Sequence, residues 1–112
     1  MSGDATACIL GNLTKDPECR DAGKTRVANF TLAVNKKRND VDYVSYLDCC
    51  AWGRLADIAQ QYLSKGRQVY VVGDLVQDRW EKDGVTHSRV RIHVLKMQML
   101  GGGNKSRPAQ DD

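Results

Sequence analysis

The sequence predicts an all-β fold, a five-stranded barrel with one helix between strands 3 and 4. Three observations carry this. Several short runs alternate apolar and polar residues at period two, the pattern of strands with one buried face. A single stretch, between Gly53 and Gly66, repeats its apolar residues at three and four instead. Turn signals such as Asp16-Pro17 and Asp83-Gly84 punctuate the runs, so short antiparallel strands dominate and no parallel strand–helix–strand unit is implied.

The first strand is Ala7–Leu13, closed by Asp16-Pro17. The second runs from Arg26 to Asn35, with Ala28, Phe30, Leu32 and Val34 alternating against Asn29, Thr31, Ala33 and Asn35, which sends one face to a core. The third is Tyr43–Trp52. The helix follows, carrying Leu55, Ile58, Ala59, Tyr62 and Leu63 on one stripe. Gly66 is expected to take the left-handed position at its C-terminus, and Lys65 to favour the negative end of the dipole. The fourth strand is Gln68–Gln77, with Val69, Val71, Gly73 and Leu75 on one side. The fifth is Thr86–Leu95, reached through the hairpin cue Lys82-Asp83-Gly84. A five-stranded barrel with a helix between strands 3 and 4 is the oligonucleotide-binding (OB) architecture.

A chain of 112 residues has room for one domain and a modest core. Residues 1–103 are assigned to it. Residues 104–112 are read as a short disordered tail, because the segment from Gly101 onward is rich in Gly, Asn, Ser, Pro and Gln and lacks large apolar residues. No apolar run reaches the length of a membrane span, and Met1-Ser2-Gly3-Asp4 does not begin a signal peptide, so a cytoplasmic location away from membranes is expected. Cys8, Cys19, Cys49 and Cys50 include no Cys-x-x-Cys pair, and His87 and His93 lie far along the chain, so a metal site is not expected. Adjacent Cys49 and Cys50 point to opposite faces of a strand and read as reduced, small hydrophobes. No catalytic set, P-loop or dinucleotide fingerprint is present, and neither an enzyme nor a cofactor is expected.

The net charge of +3 permits nucleic-acid binding without demanding it. The placement of the aromatics says more. Trp52 lies in Trp52-Gly53-Arg54, and Trp80 in Asp78-Arg79-Trp80-Glu81-Lys82. A tryptophan among cations suits an exposed platform on which unpaired bases stack; the competing reading packs it inward with solvated neighbours. Tyr46 shares the face of Trp52, opposite Leu47, Cys49 and Ala51, at a rise that separates the two rings by roughly 20 Å. Trp80 would supply a third platform on the last hairpin. Lys36, Lys37 and Arg38 are placed on the loop between strands 2 and 3. Arg54 adjoins Trp52, Arg79 and Lys82 flank Trp80, and Arg89 and Arg91 share a face of strand 5. These cations are positioned to follow a phosphate backbone, although a solvated surface is the bland alternative. Asp48 and Asp78 oppose the reading, since acids on that face repel phosphate.

Together these residues resemble the bacterial-type single-stranded DNA-binding protein family over about residues 5–103. The motifs are Ile9-Leu10-Gly11-Asn12-Leu13-Thr14-Lys15-Asp16-Pro17-Glu18, Val27-Ala28-Asn29-Phe30-Thr31-Leu32-Ala33, Trp52-Gly53-Arg54-Leu55-Ala56, Tyr62-Leu63-Ser64-Lys65-Gly66, Val69-Tyr70-Val71-Val72-Gly73, Arg79-Trp80 and Met97-Gln98-Met99-Leu100. The resemblance implies an OB-fold protomer of a homotetramer that wraps single-stranded DNA without sequence preference, stacking bases on Tyr46, Trp52 and Trp80, with Tyr70 at an inter-protomer contact. Proteins of this family serve replication, recombination and repair.

The chain departs from the family pattern in several places. The family frequently has tryptophan at the position of Tyr46 and phenylalanine at that of Trp52. It often has a further aromatic where Lys36, Lys37 and Arg38 stand, and arginine near the positions of Asp48 and Asp78. These departures imply weaker or rerouted DNA contacts. The family's acidic tail with an apolar tip recruits replication and repair proteins. Here Ala109-Gln110-Asp111-Asp112 has no apolar tip, which reads as either a truncated chain or a compact version from a phage or mobile element, and leaves that recruitment open. Two other functions stay open: an OB-fold module that binds mainly protein partners, and RNA binding, since stacking does not read the sugar.

Overall fold

The computed structural model describes residues 3–100. The tail assigned to 104–112 and the domain end at 103 fall outside the described residues. Six strands and one helix follow in the order β1 (Thr6–Leu13), β2 (Glu18–Ala22), β3 (Thr25–Arg38), β4 (Val41–Trp52), α1 (Arg54–Tyr62), β5 (Gln68–Lys82) and β6 (Val85–Met99). β1 pairs with β5, β5 with β6, β6 with β4, β4 with β3, and β3 returns to β1, so five strands close into the expected barrel. The pairing of β4 with β6 is parallel; the other pairings are antiparallel.

β2 is an addition to the expected five strands. Asp16-Pro17 does end β1, but the chain then turns and Glu18–Ala22 lies against Arg26–Asn29 and Thr25 of β3. Gly23, at a φ of 73°, supplies the left-handed residue of the two-residue turn between them. A five-residue strand with three charged residues has no continuous apolar side, which hides it from a periodicity reading.

The core is built as the alternation predicts. Ala28, Phe30 and Leu32 of β3 face Cys49, Ala51 and Leu47 of β4, joined by Val69, Val71, Ile92 and Val94 from the second half of the barrel. Helix α1 closes one end with Ala56 and Ala59, and Leu63 follows just beyond it. Tyr62 was expected on this buried stripe but is half exposed. The helix also stops earlier than expected. Leu63 is already extended at φ −94° and ψ 143°, so Gly66 is not its capping residue. Gly66, at φ 88°, instead shapes the turn that docks on β1, where its N–H donates to the Leu13 carbonyl at 2.8 Å and its carbonyl accepts from Asn12 Nδ2 at 3.0 Å. Lys65 sits in the same turn, its N–H donating to Asp16 Oδ1 at 2.8 Å.

Two glycines let strands approach where side chains could not. A Cβ on Gly11 would lie 2.8 Å from the Ala33 carbonyl oxygen, at the β1–β3 closure. A Cβ on Gly73 would overlap the His93 carbonyl oxygen on β6, beside an irregularity in the β5–β6 register between Val72 and Gly73. Beyond the pairing of Ile92 with Cys49, where β6 parts from β4, β5 and β6 continue as a two-stranded ribbon, and Leu75, expected inward, is 43% exposed at the rim of the barrel. The ribbon ends in the predicted turn, with Asp83 at φ 53° and Gly84 at φ 79°; two successive left-handed residues match the twist of the strands they join. β3 and β4 form a second ribbon with the same device, Asn39 at φ 52° and Asp40 at φ 64°.

Candidate nucleic-acid interface

Strand register places the non-core face of β3, β4, β5 and β6 on one continuous surface. Tyr46, Asp48, Cys50 and Trp52 alternate along β4, opposite Ala33, Thr31, Asn29 and Val27 of β3. Cys50 stands beside His93 of β6, so Arg91 and Arg89 extend the same face, paired with Val76 and Asp78 of β5. Trp80, paired with His87, carries it onto the ribbon.

β2 raises a wall along this face and makes a groove of it. One hollow of about 450 Å³ is lined by Glu18 and Arg20 from β2, Asn29, Cys50 and Trp52 from the floor, Asp78 from β5, and Arg89 and Arg91 from β6. A second, of about 210 Å³, continues past Lys15, Thr31 and Asp48 and shares Cys50, Arg89 and Arg91. Lys15, Arg20 and Asn29 line the groove without having been singled out as candidate binding residues; Arg20 belongs to the unrecognised β2, Lys15 to the turn that leads into it, and Asn29 to the polar face of β3. The alternation Glu18-Cys19-Arg20 ahead of Gly23 was the available signal.

The aromatics are left out of the core. Tyr46 is 65% exposed, Trp52 40% and Trp80 45%. The Trp80 ring stacks on His87, with centroids 5.7 Å apart and planes 19° from parallel. In the sequence His87 is weighed only as a metal ligand or catalytic group and rejected as both; in the fold its ring lies against the Trp80 indole. Tyr43, on the β3–β4 ribbon, was not anticipated either. It is 38% exposed and borders a hollow of about 520 Å³ with Lys36 and Lys37.

The predicted cations divide among several settings. Lys36, Lys37 and Arg38 are not on a loop. They belong to β3, because the connection shrinks to the Asn39-Asp40 turn, and they pair across the ribbon with Tyr43, Asp42 and Val41. Lys37 Nζ lies 3.9 Å from Asp42. Arg54 opens α1 and is exposed. Lys82 shares the strand face of Trp80, whereas Arg79, paired with Ser88, is on the opposite face of the ribbon. Arg89 and Arg91 share the groove face as expected, yet both are engaged. Arg89 Nη2 lies 3.1 Å from Asp48 Oδ2, and Arg91 donates from Nε to Asp78 Oδ2 at 2.6 Å. The Arg91 hydrogen bond holds the Asp78 carboxyl below its ordinary range, with the Arg91 and Arg89 charges adding to it. Asp48 and Asp78, which argued against phosphate binding, are thus neutralised within the protein.

Both adjacent cysteines are buried, on opposite faces as expected, and are free thiols. Burial pushes the Cys49 thiol up to about 12, with Cys50 and Asp48 contributing. Cys50 takes the guanidinium of Arg91 at 2.8 Å. No cluster of three or more His, Cys, Asp or Glu residues suited to a metal occurs among the described residues. None of their helices is long and apolar enough to cross a membrane.

Tyr70 is half-buried on the outer face of β5, opposite the Val69 and Val71 core side, as predicted. Leu10 of β1, itself 48% exposed, lies across from it, and a hollow of about 350 Å³ beside it is lined by Val72, Lys96 and Gln98. A hydrogen bond with the Cys8 side chain raises the Tyr70 phenol above its ordinary value.

A closed five-stranded barrel with one helix between β4 and β5, carrying an open groove with Trp52 on its floor, has the architecture of an OB-fold protein. Residues 5–100 match the single-strand binding protein family, and the chain belongs to that family. It is 38% identical to a single-stranded DNA-binding protein of Treponema pallidum over 99 residues, covering 83% of this chain and 56% of that protein. It is 38% identical to one from Clostridium perfringens over 101 residues, covering 86% and 65%. A Borreliella burgdorferi single-stranded DNA-binding protein is 36% identical over 117 residues, covering 96% and 78%. The chain therefore spans between about half and two thirds of the first two relatives, and more of the third.

Proposed function

We propose that this protein binds single-stranded DNA without sequence preference and protects it during replication, recombination and repair. The observation that carries the reading is the open groove, where Trp52 lies among Arg20, Arg89 and Arg91. Bases stack on Tyr46, Trp52 and Trp80, each contact worth about 1–3 kcal/mol and indifferent to base identity because every base has a π-face. Lys36, Lys37, Arg38, Arg54, Lys82, Arg89 and Arg91 hold the phosphates, and Arg79 serves the far side of the ribbon. The role is binding rather than catalysis, in the cytoplasm and at the nucleoid. The chain assembles with copies of itself, as a tetramer, through the face that bears Leu10 and Tyr70, whose exposed apolar area supports burial against a partner.

Titration with oligo-dT tests the reading. Stacking on Trp52 and Trp80 quenches indole fluorescence, and the logarithm of affinity falls with the logarithm of salt at about −0.7 per phosphate neutralised. Emission unchanged at saturating oligo-dT would remove the stacking role. Oligo-U in parallel separates DNA from RNA preference, and sedimentation of the free protein reports the tetramer.

A further inference from the structure

The charges of the groove are unlike those of a plain phosphate channel, in which arginines stand free. Arg91 uses three nitrogens within the protein. Nε and Nη2 reach Asp78 at 2.6 and 3.4 Å, and Nη1 reaches Cys50 Sγ at 2.8 Å. Arg89 reaches Asp48 at 3.1 Å, and Asp48 is itself fixed by the Thr31 hydroxyl at 2.8 Å. All four side chains keep between 31% and 59% of their surface exposed, so solvent and ligands reach both pairs. A carboxylate presents to a guanidinium the same two-oxygen edge as a phosphate.

We infer that Asp48 and Asp78 set the DNA affinity of the groove, each acting as an internal competitor that occupies the arginine a DNA phosphate would take. Binding at these two positions is then an exchange of one anion for another. The arginine gains a phosphate only by leaving its carboxylate, and the freed carboxylate repels the incoming strand. Both steps lower affinity and favour rapid release. The pairs lie on the groove floor between Trp52 and Trp80 in strand register, so any strand lying across both indoles meets them. This rests on the proposal that the groove binds single-stranded DNA.

The test is a double-mutant cycle on the full chain, read by oligo-dT titration at fixed salt. Asp48→Asn and Asp78→Asn keep shape and remove the competing charge. An exposed ion pair is broken at small cost, so each is expected to tighten binding about two- to fivefold, and the double variant about tenfold. Repulsion alone would give the same gain in any background. Release of a held arginine makes the Asp48→Asn gain shrink in an Arg89→Gln background, and the Asp78→Asn gain shrink in Arg91→Gln. Gains that persist undiminished beside glutamine, or no gain at all while the wild type binds oligo-dT, overturn the inference and leave the DNA-binding role standing. A wild type that does not bind oligo-dT overturns both. Circular dichroism checks folding. If Asp48→Asn fails to fold, the Asp78 and Arg91 half of the cycle decides alone.

Discussion

Replacing Gly73 by alanine tests how tightly the barrel is closed. A Cβ there overlaps the His93 carbonyl oxygen and lies 2.8 Å from Ile92 Cγ2 and 2.9 Å from the His93 carbonyl carbon, where ordinary contact begins at 3.4 Å. β6 must retreat, because two of these three atoms are backbone and cannot rotate aside. It cannot retreat freely, since Ile92 and His93 are also the two residues that join β6 to Cys49 and Cys50 of β4. Overpacking of this kind costs about 1–3 kcal/mol. Each ladder hydrogen bond lost adds about 1 kcal/mol. A loss of about 3 kcal/mol or more is expected, a large share of the roughly 5–15 kcal/mol that holds a domain together. Thermal unfolding followed by circular dichroism should show Tm lowered by about 12 °C or more. Gly23→Ala is the comparison: with a φ of 73° and nothing within 4 Å, it should cost only the left-handed backbone term, about 1–2 kcal/mol. A Gly73→Ala protein within about 1 kcal/mol of wild type would refute the argument that the strands touch here.

Burial of Cys49 predicts an alkaline weakness. Its thiol stays protonated in the fold up to about 12, while the unfolded thiol ionises near its ordinary value of 9.0. The raised folded value makes this contribution complete below pH 9 and progressively lost toward pH 12. At pH 10.5 the loss is about 2 kcal/mol, read as the change in the stability difference between wild type and Cys49→Ala from pH 8 to 10.5. Iodoacetamide should modify exposed Cys8 in the native protein and reach Cys49 and Cys50 only on unfolding, as peptide mass mapping would reveal. Trp52→Ala and Trp80→Ala should each weaken oligo-dT binding by about 1–3 kcal/mol in fluorescence anisotropy with labelled DNA. His87→Ala should weaken it less, since that ring supports the Trp80 indole from the next strand.

The parts of the fold that were legible in the sequence are those written as alternation. Ala28, Phe30 and Leu32 named their own face, and so did Val69 and Val71, because burial inside a narrow barrel demands an apolar residue at every second position. Tyr46 and Trp52 were placed together by the same parity. Asp83-Gly84 announced its turn because few other pairs accept two left-handed conformations. What escaped lies where burial does not govern. β2 carries Glu18, Arg20 and Asp21 and is held by backbone hydrogen bonds to β3, which leave no mark on composition. The ribbons run several residues past the expected ends for the same reason. Lys36–Arg38 looked like a loop because charged strand ends and charged loops have the same composition. Partner choice was also hidden. Arg89 meets Asp48 because β6 runs parallel to β4, a register set by two residue pairs and an irregularity near Gly73.

The barrel's joints are unequal. β3 and β4 are stitched along twelve residues each, whereas β4 meets β6 at two residue pairs and β1 meets β3 at two. The cylinder is therefore two broad leaves fastened by narrow clasps, and one clasp runs beneath Cys50 and Arg91. The indole of one leaf and that of the other thus face each other across one of the two narrowest joints among the described strands.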